Sequence, residues 1–129
     1  MISKIRNNKA AFTLVEIMIV VAIIGLLAAL AIPGFVKARK QSQGRRVIND
    51  ARQLDAALDQ WAIEKGKKLG DAINTTEASS YIKGGVWITE DAVHNPYTVN
   101  SIMVDTAQVL ISTDTKSSLA GVGIDWGSF

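Results

Sequence analysis

The chain has 129 residues and is 48% hydrophobic, which leaves room for one small domain once its longest apolar run is set aside. It holds no cysteine, so a disulfide framework and a thiolate metal site are both excluded. The formal net charge of +2 conceals a division: residues 1–11 carry +3, 12–36 carry −1, 37–68 carry +5 and 69–129 carry −5. A basic rod and an acidic head share one chain.

The basic, polar leader MISKIRNNKAA is followed by an apolar run over residues 12–32, in which Thr13 and Glu16 are the only polar residues and Glu16 the only charge. At 1.5 Å rise per residue the run spans about 31 Å, the thickness of a bilayer's hydrocarbon core. A buried core helix is the alternative, disfavoured by the size of the chain, which could not surround it. In an ordinary secretory signal a small-residue cleavage site follows a shorter apolar stretch. Here Ala10 and Ala11 precede the run, and Pro33 and Gly34 follow it.

Pro33 removes an amide donor and crowds the preceding turn, so the helix is expected to loosen there without ending. Beyond it, Val47, Ala51, Leu54, Leu58 and Trp61 recur at spacings of four, three, four and three, the signature of an amphipathic helix. Gly44 inside this stretch costs about 1 kcal/mol relative to alanine. Gly66, preceded by Lys65, is a natural stop with a cation suited to the helix dipole. One helix is predicted over residues 13–65, weak at Pro33.

Asn74 and Glu77 form an asparagine-led capping box that predicts a short helix over 75–82, ending at Gly84 and Gly85. Residues 86–89, 97–104 and 108–112 are rich in β-branched and aromatic side chains and are bounded by His94-Asn95-Pro96 and Asp114-Thr115-Lys116. They predict a three-stranded antiparallel meander. Trp61, Trp87 and Tyr97 are expected as core residues covering that sheet. The tail GVGIDWGSF fits no element. The fold class is therefore α+β, a long N-terminal helix with a membrane-spanning first half and an amphipathic second half packed on a small antiparallel β-sheet head.

No catalytic constellation emerges. His94 is the only histidine, sits in a predicted loop, and has no clustered acid or cysteine beside it. Lys37, Arg39, Lys40, Arg45 and Arg46 could attract nucleic acid, but no aromatic residue interleaves them and a solvated helix face accounts for them. Glu16 points elsewhere, because a carboxylate inside a membrane segment is costly and a simple anchor has no use for it.

The stretch AAFTLVEIMIVVAIIGLLAALAIP resembles the N-terminal signature of type IV pilins and of the pseudopilins of type II secretion. The resemblance implies a type IV pilin-like fold divided into a cleaved leader (1–11), a transmembrane and assembly helix (12–35), and an amphipathic helix with a globular head (36–129). It implies cleavage between Ala11 and Phe12 by a prepilin peptidase, N-methylation of Phe12, an assembly role for Glu16 at mature position five, and a helix-loosening role for Pro33. Ala11 departs from the glycine usual before the cut. The segments INDARQLD, QWAIEK and YIKGG look like the helix and loop of type II secretion pseudopilins, and the missing cysteines tilt the reading that way. The alternatives are a type IV pilus subunit for adhesion, motility or DNA uptake, and a plain bitopic protein with a small binding head.

The implied partners are copies of the chain itself in a helical filament, the peptidase, an inner-membrane assembly platform and minor pilin-like subunits. The implied location is single-pass in the cytoplasmic membrane with the head outside, then a periplasmic or surface filament. Small residues Ala22, Gly25, Ala28 and Ala29 would allow close helix approach. The five bases after the membrane run, against three in the leader, would by themselves favour a cytoplasmic head; in the filament, acidic heads of neighbouring subunits are expected to match them. No cofactor is expected apart from calcium, for which Asp105, Asp114 and Asp125 are the candidate ligands by analogy with major pseudopilins.

Overall fold

A computed structural model describes residues 11–129; the leader charges Lys4, Arg6 and Lys9, together with Ala10, lie outside the described residues. The first helix, α1, is Leu14–Lys65 and contains Pro33. The chain divides into two compact units, one ending at Val36 and the other Lys37–Phe129.

In the first unit the helix begins at a reciprocal cap. The Thr13 hydroxyl oxygen accepts from the Glu16 N–H at 3.2 Å, and the Glu16 carboxylate accepts from the Thr13 N–H at 2.9 Å. Two amides that would otherwise lack helical partners are satisfied. The apolar side chains beyond this cap meet nothing: the most apolar 18-residue window has a mean hydropathy of 2.9 and is 0% buried.

The second unit is organised around the amphipathic stripe. Val47, Ala51, Leu54, Leu58 and Trp61 are all buried, and they pack with Ala78, Ile82, Tyr97, Met103, Val109, Ile111 and Leu119 into one core. Trp87 lies half-buried against it. The helix stops where expected. Gly66 takes a φ of 63°, which lets Lys67 N–H reach back to the Ala62 carbonyl at 2.8 Å, a left-handed C-terminal cap open to glycine at little cost.

Gly44 has a different role from the one its helix propensity suggests. It is buried, and a Cβ built on it would lie 2.0 Å from Ile124 Cδ1. The tail that fitted no element therefore packs against the helix at its one buried glycine, and Gln41 Nε2 donates to the Val122 carbonyl at 3.2 Å beside it.

The short helix is divided. Residues Thr75–Ala78 form α2, and a 3-10 turn, Ser79–Tyr81, continues it. Asn74 caps α2 by accepting from the N–H groups of Thr76 and Glu77. Glu77 does not complete the box on the Asn74 N–H; its carboxylate instead accepts from the Asn74 amide and from the indole N–H of Trp61, at 3.0 and 2.9 Å.

The three-stranded meander is corrected to two strands. β1 (Thr98–Val99) pairs antiparallel with β2 (Val109–Leu110), with Thr98 opposite Leu110 and Val99 opposite Val109. The pairing is short because side chains take the groups a longer ladder would use. Gln108 accepts from Val104 N–H and donates to the Val104 and Thr106 carbonyls, while the Asn100 amide donates to the Ala107 carbonyl. Residues 86–89 form no strand: they touch the following segment through Tyr97 N–H on the Thr89 carbonyl, beside a single pairing of Glu90 with Pro96, a residue with no amide to donate. The segment that does run beside residues 101–103 is 70–73, joined by three backbone bonds of 2.8 to 3.1 Å. Asp114-Thr115-Lys116, expected as a turn, lies within a third helix, α3 (Thr113–Ser118), capped by Ser112 on the Asp114 N–H.

Candidate assembly site

The features expected to act in assembly lie in the first unit. Phe12 is 82% exposed, and Ala11 beside it is exposed as well. Glu16 sits in the first turn of α1, with its carboxylate on the Thr13 amide. The Phe12 nitrogen is here a peptide amide, so a carboxylate–ammonium pair at this point requires the chain to be cut. Thr13 is the functional neighbour that reading Glu16 as an isolated membrane charge missed, although the Thr-x-x-Glu spacing is the capping pattern itself.

Around and beyond Glu16 the surface is an apolar sleeve: Leu14, Val15, Ile17, Met18 and the large apolar residues onward to Phe35 and Val36 are exposed, with Ala28 partly so. Gly25 has nothing within 4 Å of the position a Cβ would take, so its small side is open to a neighbouring helix. Pro33 lies inside α1.

The three calcium candidates lie apart among the described residues. Among the described residues no group of three or more His, Asp or Glu side chains gathers as ligands. Asp105 is exposed, Asp114 lies in the first turn of α3, and Asp125 spends a carboxylate oxygen on its own turn, accepting from the Gly127 N–H at 3.0 Å. Hard cations need several oxygens converging at 2.3 to 2.6 Å, and these three carboxylates are not brought together. His94 is 89% exposed at its side chain, with Nδ1 3.7 Å from the Glu90 carboxylate.

The head holds a buried polar cluster that the sequence did not advertise. Asp91 accepts from the Val93 and Asn95 N–H groups at 2.8 and 3.0 Å and from the Thr115 hydroxyl, which in turn accepts from the Asn95 amide at 2.9 Å. Nearby, the Tyr97 hydroxyl donates to the Val47 carbonyl at 3.1 Å. Burial first, and then the Asp50 and Asp91 charges, raise the Tyr97 hydroxyl well above its ordinary value. Asp50 is itself raised by burial, with Arg46 opposing and Asp91 adding to the shift. This cluster fastens loop to helix and presents no open reactive group.

Residues 6–32 match the family model described as the prokaryotic N-terminal methylation motif. Fimbrial protein Q of Moraxella bovis is 44% identical over 72 residues, covering 55% of this chain and 46% of the relative. Type IV major fimbrial protein FimA of Dichelobacter nodosus is 37% identical over 79 residues, 61% of this chain and 50% of the relative. Type II secretion system core protein G of Klebsiella michiganensis is 32% identical over 62 residues, 48% of this chain and 44% of the relative. The chain spans about half the length of these curated relatives. No solved structure matches. The similarity to prepilin-type proteins thus falls on the N-terminal segment that forms the exposed apolar helix. The relatives divide between fimbrial proteins and type II secretion core proteins.

Proposed function

We propose that the chain is a structural subunit of a pilin-like filament, made as a precursor, cut between Ala11 and Phe12, and methylated on the new amine of Phe12. The observation that carries this reading is the exposed apolar sleeve with one carboxylate at its start. Such a surface has two stable surroundings, lipid before assembly and other copies of itself afterward. Glu16 then exchanges the Thr13 amide for the terminal ammonium of a neighbouring subunit, which fixes the axial step between subunits. Charge at that depth is otherwise costly. Pro33 supplies a place where the helix loosens during packing, and a peptidase, an assembly platform and minor subunits act on the chain.

The filament is proposed to be a secretion pseudopilus, on the absence of cysteines and the likeness to core protein G. A surface pilus is the second reading, favoured by the fimbrial relatives and by the scatter of Asp105, Asp114 and Asp125. Two experiments test the proposal. Mass spectrometry of the membrane-extracted protein is expected to find N-methylated Phe12 as the first residue; an intact Met1, or a cut after Ile32, would refute the processing. Glu16→Gln is expected to be inserted and cut normally but to form few or no filaments, and normal filament number and length would refute the pairing. A deletion strain that loses secreted proteins supports the pseudopilus, and one that loses surface fibres alone supports the pilus.

A further inference from the structure

The sleeve gives way abruptly to a basic collar. Lys37, Arg39, Lys40, Arg45 and Arg46 fall within ten residues, and no acid occurs between Glu16 and Asp50. Four of these side chains are exposed and Lys40 is partly so. Among the described residues only Arg46 has a carboxylate within 4.0 Å, that of Asp50 at 3.8 Å, and the Arg46 side chain is still 75% exposed. At about 100° per residue the five point to every side of the helix, so no single docked face could occupy them all. A cation ring directly following an apolar sleeve fits a planar layer of negative charge through which the helix passes.

We infer that this collar binds the anionic phosphate headgroups of the bilayer that holds the sleeve, an inference that rests on reading the sleeve as a membrane segment and not on filament formation. The spacing suits it. Lys37, Arg39 and Lys40 lie five to eight residues past Ile32, about 8 to 12 Å along a helix, at the outer edge of a headgroup layer and within about one Debye length of it. Arg45 and Arg46 lie about 20 to 21 Å past Ile32, more than one Debye length beyond the headgroups at physiological salt, so the first three bases carry most of the attraction. The collar thereby holds the subunit at a fixed depth before it is withdrawn into any assembly.

The test is lipid selectivity of the full chain in bilayers, measured by the fraction of spin-labelled phosphatidylglycerol against spin-labelled phosphatidylcholine in the immobilised lipid shell. An approximately fivefold preference for phosphatidylglycerol is expected at low salt, the equivalent of about 1 kcal/mol, falling toward unity at 0.5 M salt. The triple change Lys37→Gln, Arg39→Gln, Lys40→Gln is expected to remove most of it. Lys65→Gln, Lys67→Gln, Lys68→Gln removes the same charge at and just past the far end of the helix and is expected to leave it. Incorporation with equal affinity for the two lipids would overturn the collar alone; failure to incorporate in either bilayer would overturn the membrane reading and the collar with it. Self-association in phosphatidylcholine bilayers that the first triple change abolishes, with lipid preference unaltered, would assign the collar to a second copy and overturn the inference.

Discussion

Replacing Gly44 by alanine sets two effects of known size against each other. In an unencumbered helix the change would stabilise by about 1 kcal/mol. Here the new methyl would stand 2.0 Å from Ile124 Cδ1 and 3.0 Å from its Cγ1, where carbon atoms prefer about 3.5 to 4.0 Å. Ile124 must turn away or the tail must lift, and overpacking of this kind costs about 1 to 3 kcal/mol. The net expectation is destabilisation by about 1 kcal/mol. Ile124→Val deletes the closest atom, so the pair Gly44→Ala, Ile124→Val should recover about 1 to 2 kcal/mol relative to the sum of the single changes. Urea unfolding of a fragment of residues 37–129, followed by tryptophan fluorescence, measures all four corners of the cycle. That fragment is the second compact unit and is expected to be soluble, monomeric and folded. Stabilisation by Gly44→Ala alone, with no coupling to Ile124, would refute the seating of the tail on the helix.

Trp61→Ala in the same fragment should cost about 3 to 5 kcal/mol, since the ring is 1% exposed, whereas Trp61→Phe should cost about 1.5 to 3 kcal/mol, mainly through the lost bond to Glu77; near-wild-type melting of the alanine variant would show the stripe misassigned. Asp50 has a raised pKa in the folded state, so it binds its proton more tightly folded than unfolded, and its contribution to stability falls as pH rises from near 3.8 through the raised value. Wild type should therefore lose ground to Asp50→Asn as pH rises through that interval, and a difference curve of opposite slope would refute the burial argument. A phosphatase fused at Phe129 is expected to be active outside the cytoplasm, and an inactive fusion would place the head inside and give the positive-inside rule the last word.

The amphipathic stripe was legible because its physics is local. Val47, Ala51, Leu54, Leu58 and Trp61 share a face by spacing alone, and Gly66 ends the helix by its own backbone freedom. Asn74 was likewise readable as a cap, although the partner of Glu77 was not, because Trp61 lies 16 positions away. The strands were overdrawn because β-branched composition cannot reveal that Gln108 and Asn100 will claim the intervening backbone groups. The partner segment 70–73 has a glycine and an aspartate at its start and no strand-like alternation. From helix propensity alone Gly44 is only a cost, because Ile124, the reason for it, is 80 residues downstream. The Asp91 cluster is not legible locally for the same reason, its hydroxyl donor Thr115 being 24 positions on. At the candidate assembly site Glu16 stands out as the lone charge of an apolar run, while the use of its carboxylate on Thr13 requires geometry.

The bond between Glu16 and Thr13 joins two residues that both lie downstream of position 12. Should the leader be removed before Phe12, neither partner is lost, since the Thr13 amide belongs to the bond between residues 12 and 13. The start of the helix would thus be indifferent to such a cut: the same turn could stand before and after it, and the new terminus would emerge beside an exposed carboxylate already engaged with Thr13. Processing would change which donor that carboxylate can choose without asking the backbone to refold.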